Sequence, residues 1–340
     1  MNIIRIPLIP RGNNAIMLSL NYLSFVVSGF FWKTFTKIKA DYVFIYEVSP
    51  MTQALPGVWH AKKRKIPCYL YVQDLWPENF EIITGIKNKV IIGVICRIVD
   101  YIYRGSTKIF TTSESFVKSI YDRGVPKDKI EFWPQYAEDY YIKINKINIP
   151  EIPADDAFNI TFTGNIGVAQ GLDILPQAAE IIKTRSEKEI RFNIIGDGRY
   201  KNEFVSTVNA KGLNDMFNFV QKQPATRIPD FMAASNAAFI SLKDSPLFAM
   251  TIPAKLQSYL ACGIPIVASV AGETAKIIKE SISGLCSSPG NAEELADNII
   301  KLSIMSRDEL KILGDNARKY YDSHFSKDIL LDKMDEYFNK

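Results

Sequence analysis

Short apolar segments alternate with helical segments along most of this 340-residue chain. The apolar segments are rich in β-branched and aromatic residues, which is typical of buried strands, and a helical segment separates most neighbours. Alternation of this kind predicts parallel sheets with helices on both faces. The predicted strands lie within 41–47, 68–74, 108–113, 158–164, 191–198, 237–243 and 265–270.

The length of the chain predicts two domains, because 340 residues exceed one ordinary hydrophobic core. Pro150, Pro153 and an acidic pair interrupt the sequence between the two sets of strands. Two parallel α/β domains imply a cleft between them, and ligands of such sheets bind at the carboxyl ends of the strands. The predicted regions are a first domain over 1–141, a linker over 142–157, a second domain over 158–317, and a helix over 318–340 that packs back on the first domain.

Charge is distributed unevenly between the two halves. Residues 1–150 carry 20 Lys and Arg against 12 Asp and Glu, a net charge of +8, whereas residues 151–340 carry 21 against 25, a net charge of −4. A basic half indicates an anionic partner. No nucleic-acid-binding motif is present in the sequence, so an anionic membrane surface is favoured over nucleic acid.

Cysteine and histidine usage argues against a zinc site. The four cysteines are scattered without a paired spacing, and the chain has only two histidines, His60 and His324. Reduced, buried thiols in the cytoplasm are the expected state.

An uncharged segment over 15–32 precedes three lysines, and 87–104 is a second basic, apolar stretch. Asn14, Asn21, Ser24 and Ser28 recur at helical spacing, which places them on one face of a helix. A core helix, a membrane-facing helix and a membrane span all remain possible for 15–32. A signal peptide is disfavoured, because the apolar run is long and no small-residue cleavage site follows.

The N-terminal sequence MNIIRIPLIPRGNN lacks the glycine-rich turn with which a doubly wound domain usually begins. We therefore expect the first βα unit of the first domain to be missing, either by truncation or as a genuine variation.

Two glycine-rich segments lie at predicted strand ends of the second half, at 163–175 and 194–204. Glycine lets the backbone turn tightly and approach a ligand, and amides at the start of the following helix can face a phosphate. A plain tight turn explains either segment alone. Two such loops, together with a lysine at the start of a further helix in the same domain, favour a nucleotide diphosphate as the ligand. The candidate residues in these loops are Gly164, Gly167, Gly171, Gly196, Asp197 and Gly198.

Lys255 lies near the start of a short apolar helix in TIPAKLQSYLACGIPIVAS, residues 251–269. Pro253 suits the first helical position, Gly263 suits the residue after the helix, and Pro265 prevents its continuation. Because the helix dipole disfavours a cation at this end, the lysine is either incidental or meets an anion from outside the chain.

A further helix begins at Gly272 and Glu273, directly after the next predicted strand. Glu273 either stabilises the start of that helix through the dipole or accepts hydrogen bonds from ribose hydroxyls.

Four segments together resemble the family 4 retaining glycosyltransferases of the GT-B fold, and most nearly the transferases of bacterial O-antigen and capsule assembly. The resemblance covers nearly the whole chain, from IRIPLIPR to the last helix. The segments are VQDLWPE, FTGNIGVAQGLD, IIGDG and PAKLQSYLACGIPIVASVAGETAKII.

The resemblance implies two Rossmann-like domains and an enzyme that transfers, with retention, a sugar from a UDP-linked donor to a lipid-linked saccharide in surface polysaccharide biosynthesis. It implies a cytoplasmic protein held peripherally at the inner face of the plasma membrane, where the basic half suits anionic lipid. No cofactor or metal is expected, because backbone amides, helix dipoles and cations can meet the charge of the leaving diphosphate.

The same resemblance assigns site residues. Asp74 ends a strand of the first domain and is the expected catalytic or acceptor-side group. The expected donor-binding residues are Gly164, Asn165, Gly167, Gly196, Asp197, Gly198, Lys255, Ser258, Gly272 and Glu273.

The sequence departs from the family pattern at several of these positions. The family usually has a pair of glutamates, which would fall at Met250 and Ser258. The basic pair of its donor loop would fall at Asn165 and Gln170. A histidine that is frequent in the family would fall at Gln73. A truncated or inactive transferase that acts as a binding partner therefore remains an alternative. A UDP-sugar epimerase of similar architecture is the other, although the scarcity of histidines argues against it.

Overall fold

Two parallel sheets organise the part of the chain that the computed structural model describes, residues 3–12 and 15–338. Each sheet belongs to one of two units that divide between Trp133 and Pro134. The predicted α/β class with two parallel sheets is confirmed, and all seven predicted strand segments contain a strand. The strands are β1 Val43–Glu47, β2 Cys68–Val72, β3 Lys108–Thr111, β4 Ile130–Phe132, β5 Phe158–Asn165, β6 Ile190–Asp197, β7 Phe217–Val220, β8 Ala237–Ser241, β9 Ile266–Ser269 and β10 Gly284–Ser287.

The first unit contains a four-stranded sheet in the order β1-β2-β3-β4. The order follows the chain, so each connection is a crossover that carries the chain to the next parallel strand. No strand precedes the first helix within residues 3–12. Its helices are α1 Ala15–Phe35, α2 Leu55–Arg64, α3 Glu78–Thr84, α4 Lys89–Gly105 and α5 Glu114–Asp122.

The polar stripe of α1 binds the extended segment 3–12. Asn21 and Ser28 donate hydrogen bonds to backbone carbonyls of this segment, and Ser24 accepts one from a backbone N–H, over 2.5–3.0 Å. Asn14, the remaining member of the predicted stripe, lies outside the described residues. The stripe therefore satisfies main-chain groups of the same polypeptide, which the spacing alone did not predict.

The apolar side of α1 remains largely exposed. Leu23 and Phe31 are 58% and 56% exposed, while Gly29 is buried against Pro56 of α2. Within the described residues, one helix, Ile16–Phe35, is long and apolar enough to cross a membrane, and only 6% of that window is buried. The reading of this segment as an ordinary core helix is therefore wrong, because a core helix would bury its apolar side chains.

The second unit contains a six-stranded parallel sheet in the order β10-β9-β8-β5-β6-β7. The chain builds outward from β5 through β6 to β7, then returns to place β8 on the other side of β5. The helices are α6 Ile174–Arg185, α7 Lys201–Ala210, α8 Ile228–Ala234, α9 Pro246–Ala249, α10 Ala254–Cys262, α11 Gly272–Glu280, α12 Ala292–Ser303, α13 Arg307–His324 and α14 Lys327–Phe338.

This strand order has a switch point between β5 and β8, where successive connections leave in opposite directions. In open parallel sheets the crevice outside the carboxyl ends of the strands at such a point is the usual ligand site. The loops after β5 and β8 therefore border the expected ligand site.

The segment 142–157 lies within the second unit. Ile149 and Ile152 are buried there, and Lys143 forms an ion pair with Asp315 of α13. The boundary placed after residue 317 falls inside α13, which continues without a break to His324.

Candidate functional site

A cavity of about 610 Å³ lies in the second unit at the carboxyl ends of β5 and β6. Helix α10 supplies another of its walls. Seven residues singled out from the sequence line this cavity together: Gly164, Asn165, Gly196, Asp197, Gly198, Lys255 and Ser258.

The glycine loops after β5 and β6 lie against each other. Gly196 has a φ of +148°, and a Cβ there would overlap the carbonyl oxygen of Gly164. The backbone N–H of Ile166 donates to the carbonyl of Asp197 over 2.8 Å, which joins the two loops. Only glycine permits this approach, so the cavity floor is formed by main chain rather than by side chains.

The loop after β5 is also attached to the end of β8, across the switch point. The Ser241 hydroxyl donates to the Gln170 carbonyl over 2.6 Å, and the Lys243 backbone N–H donates to the Ala169 carbonyl over 3.1 Å. Gly167, which does not line the cavity, lies in this loop beside the Asn165 side chain. The loop is thus held at both ends before any ligand binds.

Helix α10 begins one residue later than the sequence predicted. Pro253 is its N-cap, with extended backbone, and Ala254 is the first helical residue. Gly263 follows the helix with a φ of +62°, as predicted, because that left-handed conformation suits glycine. Lys255 is therefore the second residue of the helix.

The Lys255 ammonium is held by neutral groups. Its Nζ donates to Gln170 Oε1 and lies 4.6 Å from the centroid of the Phe162 ring. Within residues 3–12 and 15–338 no acidic side chain forms an ion pair with it, and burial lowers the pKa of Lys255 to about 8. A cation removed from water without a counter-ion carries a desolvation cost that an incoming anion can offset.

Tyr259 lines the cavity and binds the end of β5. Its side chain is completely buried, and its hydroxyl accepts a hydrogen bond from the Thr163 backbone N–H over 3.0 Å. Burial raises the pKa of Tyr259, so the phenol stays protonated. This bond fixes the last residues of β5 immediately before Gly164.

Sequence reasoning missed several other lining residues. Lys222 and Gln223 follow β7, a strand that was not predicted because Asn218 interrupts its apolar run, and Tyr141 lies in irregular chain. The Tyr141 phenol interacts with the Ser258 hydroxyl, while burial raises the pKa of Tyr141 to about 12. The contact between Tyr141 and Ser258 was not visible in the sequence.

Gly272 and Glu273 do not line this cavity. Gly272 has a φ of +62°, and a Cβ there would overlap the carbonyl oxygen of Ala249. Glu273 is buried in the first turn of α11, and the neighbouring Thr274 hydroxyl donates to the carbonyl of Thr251 over 3.0 Å. The start of α11 is thus packed against the segment that leads into α10.

Asp74 belongs to the first unit, where it follows β2. Its Oδ2 accepts a hydrogen bond from the Ser49 backbone N–H over 2.8 Å. Glu47, at the end of β1, is fully buried, and its pKa is raised by burial and by the charge of Asp74. The predicted catalytic carboxylate therefore lies at the carboxyl ends of two adjacent strands.

The described residues contain no group of three or more His, Cys, Asp or Glu side chains that could hold a metal ion.

The family model "Glycosyl transferases group 1" matches residues 144–320, which include every strand of the second sheet. No curated protein sequence matches the chain significantly.

Three solved structures illustrate the similarity of fold. HepE from Anabaena, in complex with UDP and glucose, has a TM-score of 0.72 at 16% identity, covering 97% of this chain and 84% of that one. Sucrose-phosphate synthase from Thermosynechococcus elongatus has a TM-score of 0.71 at 15% identity, and the match covers 96% of this chain and 80% of the synthase. The lipopolysaccharide outer core galactosyltransferase WaaB has a TM-score of 0.59 at 14% identity, and the match covers 92% of this chain and 80% of WaaB.

Proposed function

Because the chain belongs to the glycosyl transferases group 1 family and has the GT-B fold of its structural neighbours, we propose that it transfers the sugar of a UDP-sugar to a lipid-linked saccharide and releases UDP. We propose further that transfer proceeds with retention, as in family 4, and serves surface polysaccharide biosynthesis at the cytoplasmic face of the membrane. The enzyme class follows from the family, whereas donor, acceptor and stereochemistry are proposals.

The observation that carries the donor proposal is the ammonium of Lys255, which lies beside the main chain of Gly164 and has no acidic partner among the described residues. A Cβ built on Gly164 would lie 3.8 Å from Lys255 Nζ, so the cation lies beside exposed backbone. Backbone amides and a lysine together can bind a diphosphate. HepE binds UDP and UDP-glucose in its solved complexes, which supports a uridine nucleotide.

In this proposal the protein supplies the charge that stabilises the leaving diphosphate. Lys255 and the amides of the two glycine loops lie in the cavity before the donor binds. Such groups stabilise negative charge more strongly there than they would in water. Glu273 and Gly272 are proposed to lie by the ribose and diphosphate, from the start of α11. Asp74 is proposed to act on the acceptor side, and no metal or other cofactor is required.

The proposed membrane location is supported by exposed apolar side chains of the first unit. On α4, Val90 and Val94 are 75% and 50% exposed, and they follow Lys87 and Lys89. The apolar side of α1 is exposed as well. Helices that bind anionic membrane surfaces typically combine exposed apolar side chains with neighbouring lysines.

An inactive transferase that binds the nucleotide is the second candidate. Ser258 stands where the family resemblance implies a glutamate, and its hydroxyl donates to the Ala254 carbonyl over 3.2 Å. A serine cannot supply the negative charge of a carboxylate. The nucleotide cavity would persist in such a protein, while turnover would not.

Two measurements on the full chain test the proposal. Calorimetric titration with UDP, GDP and ADP should show binding that prefers UDP, and no binding at millimolar ligand would refute the donor assignment. Release of UDP from UDP-sugars should depend on an added lipid-linked saccharide. UDP binding without any release would instead support the inactive form, and conversion of UDP-N-acetylhexosamine without acceptor would indicate an epimerase.

A further inference from the structure

The first unit contains a separate cavity of about 190 Å³. Three segments form its walls: the extended segment 3–12, helix α1, and the chain that follows β1. All of its lining residues belong to the first unit, so it shares none with the cavity around Lys255. The residues on which its chemistry depends are Arg11, Asn21, Tyr22, Phe25, Ser49 and Gln53.

Two side-chain amides of this cavity are held in place by the main chain. Gln53 Nε2 donates to the Val48 carbonyl over 2.6 Å, and Asn21 Nδ2 donates to the Ile9 carbonyl over 2.5 Å. Groups fixed in this way lose little conformational freedom when a ligand binds. An amide so fixed is suited to a hydroxyl-rich ligand.

Tyr22 and Phe25 contribute aromatic rings to the same cavity. A sugar ring has apolar C–H faces as well as hydroxyl groups, so it is complementary to aromatic rings next to oriented amides. Small-molecule sites generally combine an apolar lining with a few fixed polar groups in this way. The size and lining of the cavity therefore suit a single sugar residue better than an extended apolar chain.

Arg11 provides the positive charge of the cavity. Its guanidinium lies 6.0 Å from the centroid of the Tyr22 ring, and no acidic side chain within the described ranges forms an ion pair with it. A guanidinium binds carboxylate and phosphate with two parallel hydrogen bonds. A neutral sugar would leave this capacity unused.

Ser49 connects the cavity with Asp74. The backbone N–H of Ser49 donates to the Asp74 carboxylate, and its hydroxyl accepts hydrogen bonds from Trp76 Nε1 over 3.2 Å and Asn79 Nδ2 over 2.8 Å. Three contacts thus fix the Ser49 loop to the segment that follows β2. The cavity is thus linked through Ser49 to Asp74, the group proposed for the acceptor side.

We propose that this cavity binds the terminal sugar of the acceptor, and that this sugar bears an anionic substituent, a carboxylate or a phosphate, which Arg11 binds. The inference rests on the proposed transferase function and specifies the class of its acceptor.

Ligand-detected NMR on the full chain tests the inference with three probes: 4-nitrophenyl β-D-glucuronide, glucose 6-phosphate and the neutral 4-nitrophenyl β-D-glucoside. At least one anionic probe should bind about tenfold more tightly than the glucoside, and Arg11→Gln should abolish that preference. Arg5→Gln removes another exposed arginine of the same segment and should preserve it. The relative affinities of glucuronide and phosphate identify which anion is recognised.

Equal binding of anionic and neutral probes, binding unaffected by Arg11→Gln, or no binding of any probe would overturn the inference. Titration of the same preparations with UDP, together with thermal melting, shows whether the chain is folded and whether its nucleotide cavity works. UDP binding without saccharide binding overturns only this inference. Arg11-dependent saccharide binding without UDP binding overturns the proposed donor and leaves the anionic saccharide site established.

Discussion

The ammonium of Lys255 donates a hydrogen bond to the side-chain carbonyl of Gln170, which lies on the adjoining loop after β5. A neutral amide offers a dipole rather than a full negative charge, so it orients the ammonium without neutralising it. The Gln170 main chain is in turn bound by the Ser241 hydroxyl. The cation is therefore positioned before a ligand arrives, which reduces the ordering cost of binding an anion.

Substitution Lys255→Met should weaken UDP binding by about 1.5–3 kcal/mol, the range for a hydrogen bond to a charged group, or roughly 10- to 150-fold. Methionine retains much of the apolar stem and removes the charge. Lys276→Met, on the exposed face of α11, is the matched control and should leave the affinity unchanged. Titration calorimetry measures both, and equal affinities for the two variants would contradict the assignment of Lys255 to the diphosphate.

The affinity for UDP should fall as the pH rises through about 8. Burial lowers the pKa of Lys255 from 10.5 to about 8, so the free protein loses this ammonium within the alkaline range, while a bound diphosphate favours the charged form. Binding near that pH should therefore take up protons, since UDP itself is fully ionised above its second phosphate pKa of about 6. Calorimetry in two buffers of different ionisation enthalpy measures the uptake. Lys255→Met should show no such dependence, and a wild-type affinity that stays constant across this range would refute the prediction.

The cavity at the carboxyl ends of β5 and β6 was partly predictable, because glycine and lysine at strand ends have specific physical consequences. Gly196 and Lys255 stand out in the sequence, and both line the cavity. Tyr141 gives no comparable signal, because it lies in irregular chain without a strand or helix period. Only tertiary folding brings its phenol beside Ser258.

The elements of the fold were likewise predictable where a local sequence pattern marks them, and not where only tertiary contacts do. Strand β5 has eight residues, six of them consecutively buried, and its apolar run was evident. Strands β4 and β7 were not predicted, because a polar residue interrupts each of these short runs, Glu131 in β4 and Asn218 in β7. In α1 the helical spacing of Ser24 and Ser28 predicted the polar face, but no sequence pattern indicated that the face binds the segment 3–12.

Replacing Leu23 and Phe31 of α1 together by serine should weaken binding to vesicles that contain phosphatidylglycerol by at least about tenfold. Both side chains are more than half exposed and lie on one side of the helix, so their contact with lipid would bury apolar surface. Ile312→Ser, at an exposed position on α13, is the control and should bind like the wild type. Co-sedimentation measures the bound fraction, which should also decrease with added salt. Unchanged binding of the double variant would exclude α1 from the membrane contact.

Substitution Gly196→Ala should destabilise the second unit more than Gly212→Ala does. Both glycines have positive φ, so alanine costs backbone strain of about 1 kcal/mol or more at either position. At Gly212 no atom lies within 4 Å of the added Cβ, whereas at Gly196 the Cβ overlaps the Gly164 carbonyl and must separate β5 from β6. Urea denaturation should therefore show a larger loss of unfolding free energy for Gly196→Ala, and UDP binding should be impaired only in that variant. Equal losses with intact UDP binding would mean that the contact between the two loops is not required.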